Sequence, residues 1–373
     1  MPGDRLRVLI AGGGTGGHLF PGIAVARAFQ RRVPGVVVSF AGTAQGLEAR
    51  VVPREGFALD LIRSAGLKGK SVVALARGMA LLPPSAWDAW RVVAARRPDL
   101  VIGLGGYSAG PIVLAAALRR IPALLMEQNA VPGLTNRLLA RLVRAAAVTY
   151  ESTVSYFGAK GFVSGNPVRP EFFETGADGR INHETPPRAA KVLIFGGSQG
   201  AHAINMAMVE AAPDLAAAAV SVELTHQTGA RDLDMVRDAY QRAGLRARVE
   251  PFLYEMHREM KTADLLVCRA GATTLAEIAA AGRPAILIPL PTATDDHQRR
   301  NAEVLGRAGA AEVLDQRDLT GRRLADRLIA LAADPARQER MAAAVRNMAR
   351  PDAADVIVEH ALALVGYGKG PGF

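Results

Sequence analysis

A strand-like apolar run that breaks into glycines and then into a helical pattern occurs twice in this chain, and this repetition constrains the fold most. The first copy, residues 7–17, reads RVLIAGGGTGG; the second, residues 191–201, reads KVLIFGGSQGA. Each opens a βα unit. Other apolar runs alternate with helical patterns: GVVVSFAG, DLVIGLGG, PALLMEQN and AAAVTYE in the first half, VSVELTHQTG, ARVEPF, DLLVCRAG and PAILIPLP in the second. Near-continuous apolar strands suit parallel sheets covered on both faces. The expectation is an α/β chain of two Rossmann-like, doubly wound domains facing a deep cleft. The stretch 176–190, rich in Gly, Pro and charge, marks the linker region. Ligands of such sheets sit at the carboxyl ends of the strands, so polar residues just past each strand are the functional candidates.

Composition narrows the partners. The chain has 373 residues with a formal charge of +10, which favours anionic ligands: phosphorylated small molecules, acidic lipid or nucleic acid. Aromatic residues make up only 5% and the arginines form no dense block, which argues against nucleic acid. The one cysteine, Cys268, excludes an intrachain disulfide and suits a reducing, cytoplasmic setting. No stretch reads as a signal peptide, and no run of about 18 uncharged apolar residues occurs, so no spanning helix is expected.

Gly12, Gly14 and Gly17 fit G-x-G-x-x-G between a strand and a helix, a pattern that brings backbone amides and a helix N-terminus to a diphosphate. A dinucleotide site would also need an acid at the end of the second strand, where Ala41, Gly42 and Thr43 stand instead. His18 falls in the first helical turn, where the helix dipole favours a neutral imidazole able to take a proton; a plain hydrogen-bonding role fits equally well. A second glycine loop, GLGGYSAGP, carries Tyr107 and Ser108, and Glu127, Gln128 and Asn129 emerge together past PALLM. In the second half, Thr274 and Glu277 spell T-x-x-E, so Glu277 is either a capping-box carboxylate or a ribose ligand. Asp295, Asp296 and His297 lack the further ligands a metal site needs, and no zinc or P-loop spacing appears.

Taken in order, GGTGGHLFPGIAVA, GLGGYSAGP, EQNAVPGLTNRLLA, GNPVR, GGSQGA, HQTG and CRAGATTLAEIAAAGRPAILIP make a specific set. Together they resemble the MurG family of peptidoglycan N-acetylglucosaminyltransferases, from Val8 to about Pro351. The resemblance implies the GT-B fold and inverting transfer of GlcNAc from UDP-GlcNAc to the C4 hydroxyl of MurNAc in undecaprenyl-diphospho-MurNAc-pentapeptide (lipid I), giving lipid II. It implies no metal or other cofactor. It divides the chain into an acceptor- and membrane-binding domain over 1–168, a UDP-GlcNAc-binding domain over 169–351, and a helix over 352–366 that packs back on the first.

By the same resemblance His18 is the candidate general base, with Glu127 a second proton-handling candidate. Gly13, Gly14, His18, Gly105, Gly106, Tyr107 and Ser108 would meet the acceptor diphosphate. Thr15, Gly16, Gly17, Asn129, Arg169, Ser198, Leu253 and Gln298 would contact the donor. So would Ala272, Thr273, Thr274, Leu275, Ala276 and Glu277, which favours ribose over a cap for Glu277. Met126 precedes EQN where many members of that family carry histidine.

A lipid acceptor also gives a role to the segment around residues 66–97, where Leu75, Met79, Leu82, Trp87 and Trp90 mix with Lys68, Lys70, Arg77 and Arg91. Such a patch can dock on an anionic bilayer, on the cytoplasmic face of the inner membrane, although an amphipathic helix packed on its own sheet has the same pattern. Other cell-wall synthesis proteins are candidate partners, and nucleic acid is not. The rivals are a GT-B UDP-sugar transferase with another acceptor, a UDP-GlcNAc 2-epimerase, and a non-catalytic nucleotide- or membrane-binding module.

Overall fold

The computed structural model describes residues 5–64, 81–173, 189–197 and 200–367. The chain divides into two compact units, Met1–Arg169 with Arg350–Phe373, and Pro170–Ala349. Most of the anticipated linker, and the calls on Leu75, Met79 and Ser198, lie outside the described residues.

The first unit holds strands β1 (Arg7–Ala11), β2 (Val37–Gly42), β3 (Ala58–Leu61), β4 (Leu100–Gly103), β5 (Ala123–Glu127), β6 (Ala145–Val148) and β7 (Gly161–Val163). Helices α1 (Gly16–Arg32), α2 (Glu48–Arg54), α3 (Leu82–Arg96), α4 (Ala109–Leu118), α5 (Leu134–Leu139) and α6 (Glu151–Val154) connect them. All pairings are parallel, in the order β3-β2-β1-β4-β5-β6-β7. Strand order therefore reverses between β1 and β4, the place where such sheets open a crevice.

The apolar run of β1 is continuous because the strand is covered twice. Val8 and Ile10 join one core with Leu19, Ile23 and Phe29 of α1, while Leu9 and Ala11 join another with Val93, Ile112 and Val113. Alternate side chains point to opposite faces, so both sets must be apolar.

The second unit repeats the plan with β8 (Ala190–Phe195), β9 (Val222–Gln227), β10 (Arg246–Glu250), β11 (Leu265–Cys268), β12 (Ala285–Leu287) and β13 (Ala311–Val313). Its helices are α7 (His202–Ala216), α8 (Leu233–Arg242), α9 (Met256–Thr262), α10 (Ala272–Ala281), α11 (His297–Arg307), α12 (Gly321–Ala332) and α13 (Pro335–Arg346). The parallel order β10-β9-β8-β11-β12-β13 reverses between β8 and β11. Val192 and Ile194 of β8 pack on Ile204 and Met208 of α7 and on Leu324 and Leu328 of α12.

The last helix, α14 (Ala353–Leu364), belongs to the first unit, where Ile357, Val358 and Ala361 are buried in the core of Val8 and Ile10. Arg32 donates to the Asp355 carbonyl at 3.0 Å, and His360 stacks on Phe162 with centroids 3.7 Å apart. Among the described residues no helix is long and apolar enough to cross a membrane.

Candidate active site

In the first unit the loops after β1 and β4 meet at the reversal point. A Cβ on Gly12 (φ +135°) would lie 2.7 Å from the Gly105 carbonyl oxygen, and one on Gly106 (φ +77°) 3.3 Å from the Gly13 oxygen. Two backbones this close leave room only for glycine, and the positive φ angles demand it independently. Gly105 also abuts the His18 ring, whose Cε1 would sit 3.4 Å from an added Cβ.

The loop after β1 is braced from beneath by a residue that sequence reasoning missed. Glu48, at the start of α2, is fully buried. Its carboxylate accepts from the Gly14 amide at 2.7 Å, the Thr43 amide at 2.8 Å and the Thr43 hydroxyl at 3.0 Å. An acid thus stands near the end of β2 after all, but it faces the loop. The Gly14 amide, expected to reach a diphosphate, is already committed to Glu48. The signal was available: Gly13, Gly42 and Gly46 all lack a Cβ where the Glu48 side chain lies.

Beyond this turn Gly14 and Thr15 are exposed, whereas Gly16, Gly17 and His18 are half-buried. Thr15 precedes α1 in an extended conformation without capping it by its side chain. His18 is the third residue of α1, and its Nδ1 lies 2.9 Å from Gln128 Oε1. Gln128 is buried just past β5 and donates through Nε2 to the Leu104 carbonyl at 3.2 Å.

Glu127 is engaged within its own loop. It is buried, and its carboxylate accepts from the Asn129 amide (3.0 Å), Asn129 Nδ2 (3.1 Å), the Gly133 amide (3.0 Å) and Asn136 Nδ2 (2.9 Å). Four donors occupy both carboxylate oxygens, so this side chain ties its loop together. Asn136, two residues into α5, is part of that tie.

On the far side of the second loop Tyr107 is exposed, and its carbonyl accepts from Ser64 Oγ at 3.0 Å. Ser108 is buried at the start of α4. Arg169 closes the unit with its guanidinium 5.3 Å from the Phe20 ring centroid.

In the second unit the turn after β8 needs Gly200 (φ +74°), because a Cβ there would collide with the Thr228 carbonyl. Gln227 joins two strand ends: its Nε2 donates to the Gly197 carbonyl (2.8 Å) and its Oε1 accepts from the Leu253 amide (2.8 Å). Behind it His226 is buried, between the Tyr240 hydroxyl (2.7 Å from Nδ1) and Asn205 Oδ1 (3.1 Å from Nε2). Burial disfavours its charged form and pushes its pKa down to about 3.

The capping-box reading at Thr274 is overturned. Gly271, extended at φ −67° and ψ 141°, is the N-cap of α10, so Thr274 is the third helical residue and Glu277 the sixth. A T-x-x-E pair caps only when the threonine stands outside the helix. Ala272, Thr273 and Leu275 are buried, while Thr274, Ala276 and Glu277 are half-buried. Gly271, as the N-cap residue, has no side chain with which to cap this helix.

Gln298 Oε1 accepts from the Ala270 amide (3.3 Å) and the Leu290 amide (3.0 Å), which bridges the ends of β11 and β12 and leaves its NH₂ for a ligand. Arg269, unremarked in the sequence, is half-buried and donates to the Ile288 (3.0 Å) and Pro289 (3.3 Å) carbonyls. Burial lowers its pKa to about 10, still positive at neutral pH. Among the described residues no group of three or more His, Cys, Asp or Glu side chains could hold a metal ion.

Residues 8–148 match the glycosyltransferase family 28 N-terminal domain and residues 191–357 its C-terminal domain. A UDP-N-acetylglucosamine–N-acetylmuramyl-(pentapeptide) pyrophosphoryl-undecaprenol N-acetylglucosamine transferase from Anaeromyxobacter sp. (strain Fw109-5) is 46% identical over 361 residues, 96% of this chain and 94% of that protein. The crystal structure of Acinetobacter baumannii MurG superposes with a TM-score of 0.78 at 32% identity, covering 96% of this chain and 99% of that one. The chain belongs to the MurG family, within glycosyltransferase family 28. The two parallel-sheet units are therefore the paired Rossmann-like domains of the GT-B fold. A UDP-N-acetylglucosamine 2-epimerase shares only the fold with this chain, with a TM-score of 0.67 at 13% identity.

Proposed function

We propose that this chain transfers GlcNAc from UDP-GlcNAc to the C4 hydroxyl of MurNAc in lipid I, forming lipid II for peptidoglycan synthesis. The observation that carries this reading is the 46% identity, over 96% of the chain, to a transferase named for that reaction. The C4 oxygen bonds to the anomeric carbon as the bond from that carbon to UDP breaks. The hydroxyl proton passes to His18 Nε2, and the electron pair leaves with UDP.

The first unit takes the acceptor. Its diphosphate lies along Gly13, Gly105, Gly106, Tyr107 and Ser108, with Glu48 and Glu127 holding the loops in shape. The second unit takes the donor: uracil beside Leu253, ribose at Glu277, and diphosphate at the first turn of α10. Gln298 meets the sugar; donor roles for Asn129, Thr15, Gly16, Gly17 and Arg169, and for Ser198 outside the described residues, are carried over from the family resemblance. The N-terminus of α10 and the Arg269 charge oppose the negative charge that builds on UDP, which is the task a divalent cation performs in other transferases. The reaction accordingly needs no metal.

Membrane contact is the third part of the proposal. Leu82 and Trp87 on α3, Leu118 on α4 and Leu138 on α5 are each more than half exposed, and α3 packs on α4 and α4 on α5. Arg119, Arg120 and Arg141 lie among them in the sequence, with the Arg119 guanidinium 4.0 Å from the Trp90 ring centroid. Exposed apolar side chains with arginines nearby in the sequence suit the surface of an anionic bilayer, which supports a peripheral position on the cytoplasmic face of the inner membrane.

Incubation of the full chain with UDP-GlcNAc and lipid I tests the reading: lipid II is expected, undiminished by EDTA. Formation of UDP-ManNAc instead would identify an epimerase. His18→Ala should keep UDP-GlcNAc affinity and lower turnover by roughly 10²-fold. Replacing Trp87 and Leu118 by serine should weaken sedimentation with anionic liposomes while changing stability by less than about 0.5 kcal/mol each.

A further inference from the structure

We infer that Gln128 is a positioning residue that selects the tautomer of His18. Its amide is held at both ends. Nε2 donates to the Leu104 carbonyl at 3.2 Å, and Oε1 lies 2.9 Å from His18 Nδ1. Leu104 is itself fixed to the sheet, because its amide donates to the Ala11 carbonyl at 2.8 Å. Turning the Gln128 amide over would set its oxygen against the Leu104 carbonyl, two acceptors face to face, so the orientation is determined by the sheet.

A carbonyl oxygen only accepts, so Nδ1 carries the hydrogen. A neutral imidazole has one such hydrogen, which leaves the lone pair on Nε2. In free histidine the other tautomer, protonated at Nε2, is the commoner, and it could not take a proton through that nitrogen. Gln128 therefore does for His18 what a carboxylate does in a catalytic triad, without a negative charge. It sets the tautomer and the ring angle but adds little support to the imidazolium. The carboxylates on adjoining elements, Glu48 and Glu127, are each engaged by other hydrogen bonds. Gln128 is 2% exposed and does not itself reach solvent.

This rests on the reading that His18 takes the acceptor proton, and the test separates the two. In the full chain labelled with ¹⁵N-histidine, the His18 signals, identified by their loss in His18→Gln, should report hydrogen on Nδ1. In Gln128→Met they should shift toward hydrogen on Nε2. Turnover of Gln128→Met should fall by about 10-fold or more, with KM for UDP-GlcNAc within about two-fold of the unmodified protein. Gln128→Glu should keep the tautomer and rescue turnover at high pH. A carboxylate against Nδ1–H stabilises the imidazolium, so the acid limb of the kcat profile should move to higher pH by about one unit. Hydrogen on Nε2 in the unmodified protein, or a Gln128→Met protein with unchanged tautomer and kcat, would overturn the inference. Full turnover in His18→Gln would overturn the base assignment alone, since the tautomer is read without activity.

Discussion

The reversal points of the two sheets are built from the same parts and furnished differently. Both follow a buried apolar strand with a glycine turn that another loop's carbonyl presses from the side: Gly105 against Gly12 in the first unit, Thr228 against Gly200 in the second. The first then places an imidazole on α1 and fixes it with a neutral amide, above a loop braced by a buried carboxylate. The second offers a helix start whose N-cap is a glycine and a half-buried guanidinium, and its own histidine, His226, is sealed inside. In the proposed reaction the first frame supplies the group that takes a proton, and the second supplies positive potential. A reaction that moves one proton and expels one diphosphate needs both.

The most disruptive way to test that likeness is to fill the two turns. Gly12→Ala and Gly200→Ala each combine a strained positive φ with a backbone collision, so each should cost about 3 kcal/mol or more. Hydrogen exchange should localise the loss to the first unit for Gly12→Ala and to the second for Gly200→Ala. Equal loss of protection in both units would show that the two sheets do not fold as separate frames.

A milder change probes the brace that only the first unit has. Glu48→Gln keeps one carbonyl oxygen but replaces the other acceptor by a donor facing the Gly14 amide or Thr43, and should cost about 1–3 kcal/mol by urea unfolding. Apparent affinity for lipid I should weaken, whereas affinity for UDP, measured by calorimetry, should hold. A loss of UDP binding instead would tie the brace to the donor.

Near neutral pH the smallest effect comes from the sealed histidine. His226 has its folded pKa depressed to about 3, so below the unfolded value of about 6.5 the unfolded chain binds a proton that the folded one does not. Stability of the second unit should be full above that value and fall with pH toward 3, by up to about 1.4 kcal/mol per pH unit. His226→Gln, which can still donate to Asn205, should flatten the slope. An unchanged slope would assign the acid sensitivity elsewhere.

The frame was legible in the sequence because buried parallel strands cannot hide: β1, β4, β5, β8 and β11 are apolar at nearly every position. The strands that were missed, β3, β7 and β13, are short and partly exposed, and ALDL or AEV carries no clear period. Within the site, Gly12, Gly105 and His18 stand where the pattern placed them. The roles of Glu127 and Gln128 were not readable, because adjacent polar residues past a strand look alike until their partners are known. Four donors reach Glu127 from residues as far as Asn136, and what Gln128 holds is 110 residues away. The helix at Ala272 began earlier than its T-x-x-E signature suggested, since a glycine with no side chain to advertise it can serve as the cap.

The return of α14 to the first sheet makes the second unit an insertion, spliced into its neighbour between Arg169 and Arg350. An excised fragment of residues 170–349 would carry its whole interior with it. A fragment ending at residue 169 would lack the Ile357, Val358 and Ala361 side chains that complete its own. Loss of α14 is thus an injury to the lobe encoded at the opposite end of the gene.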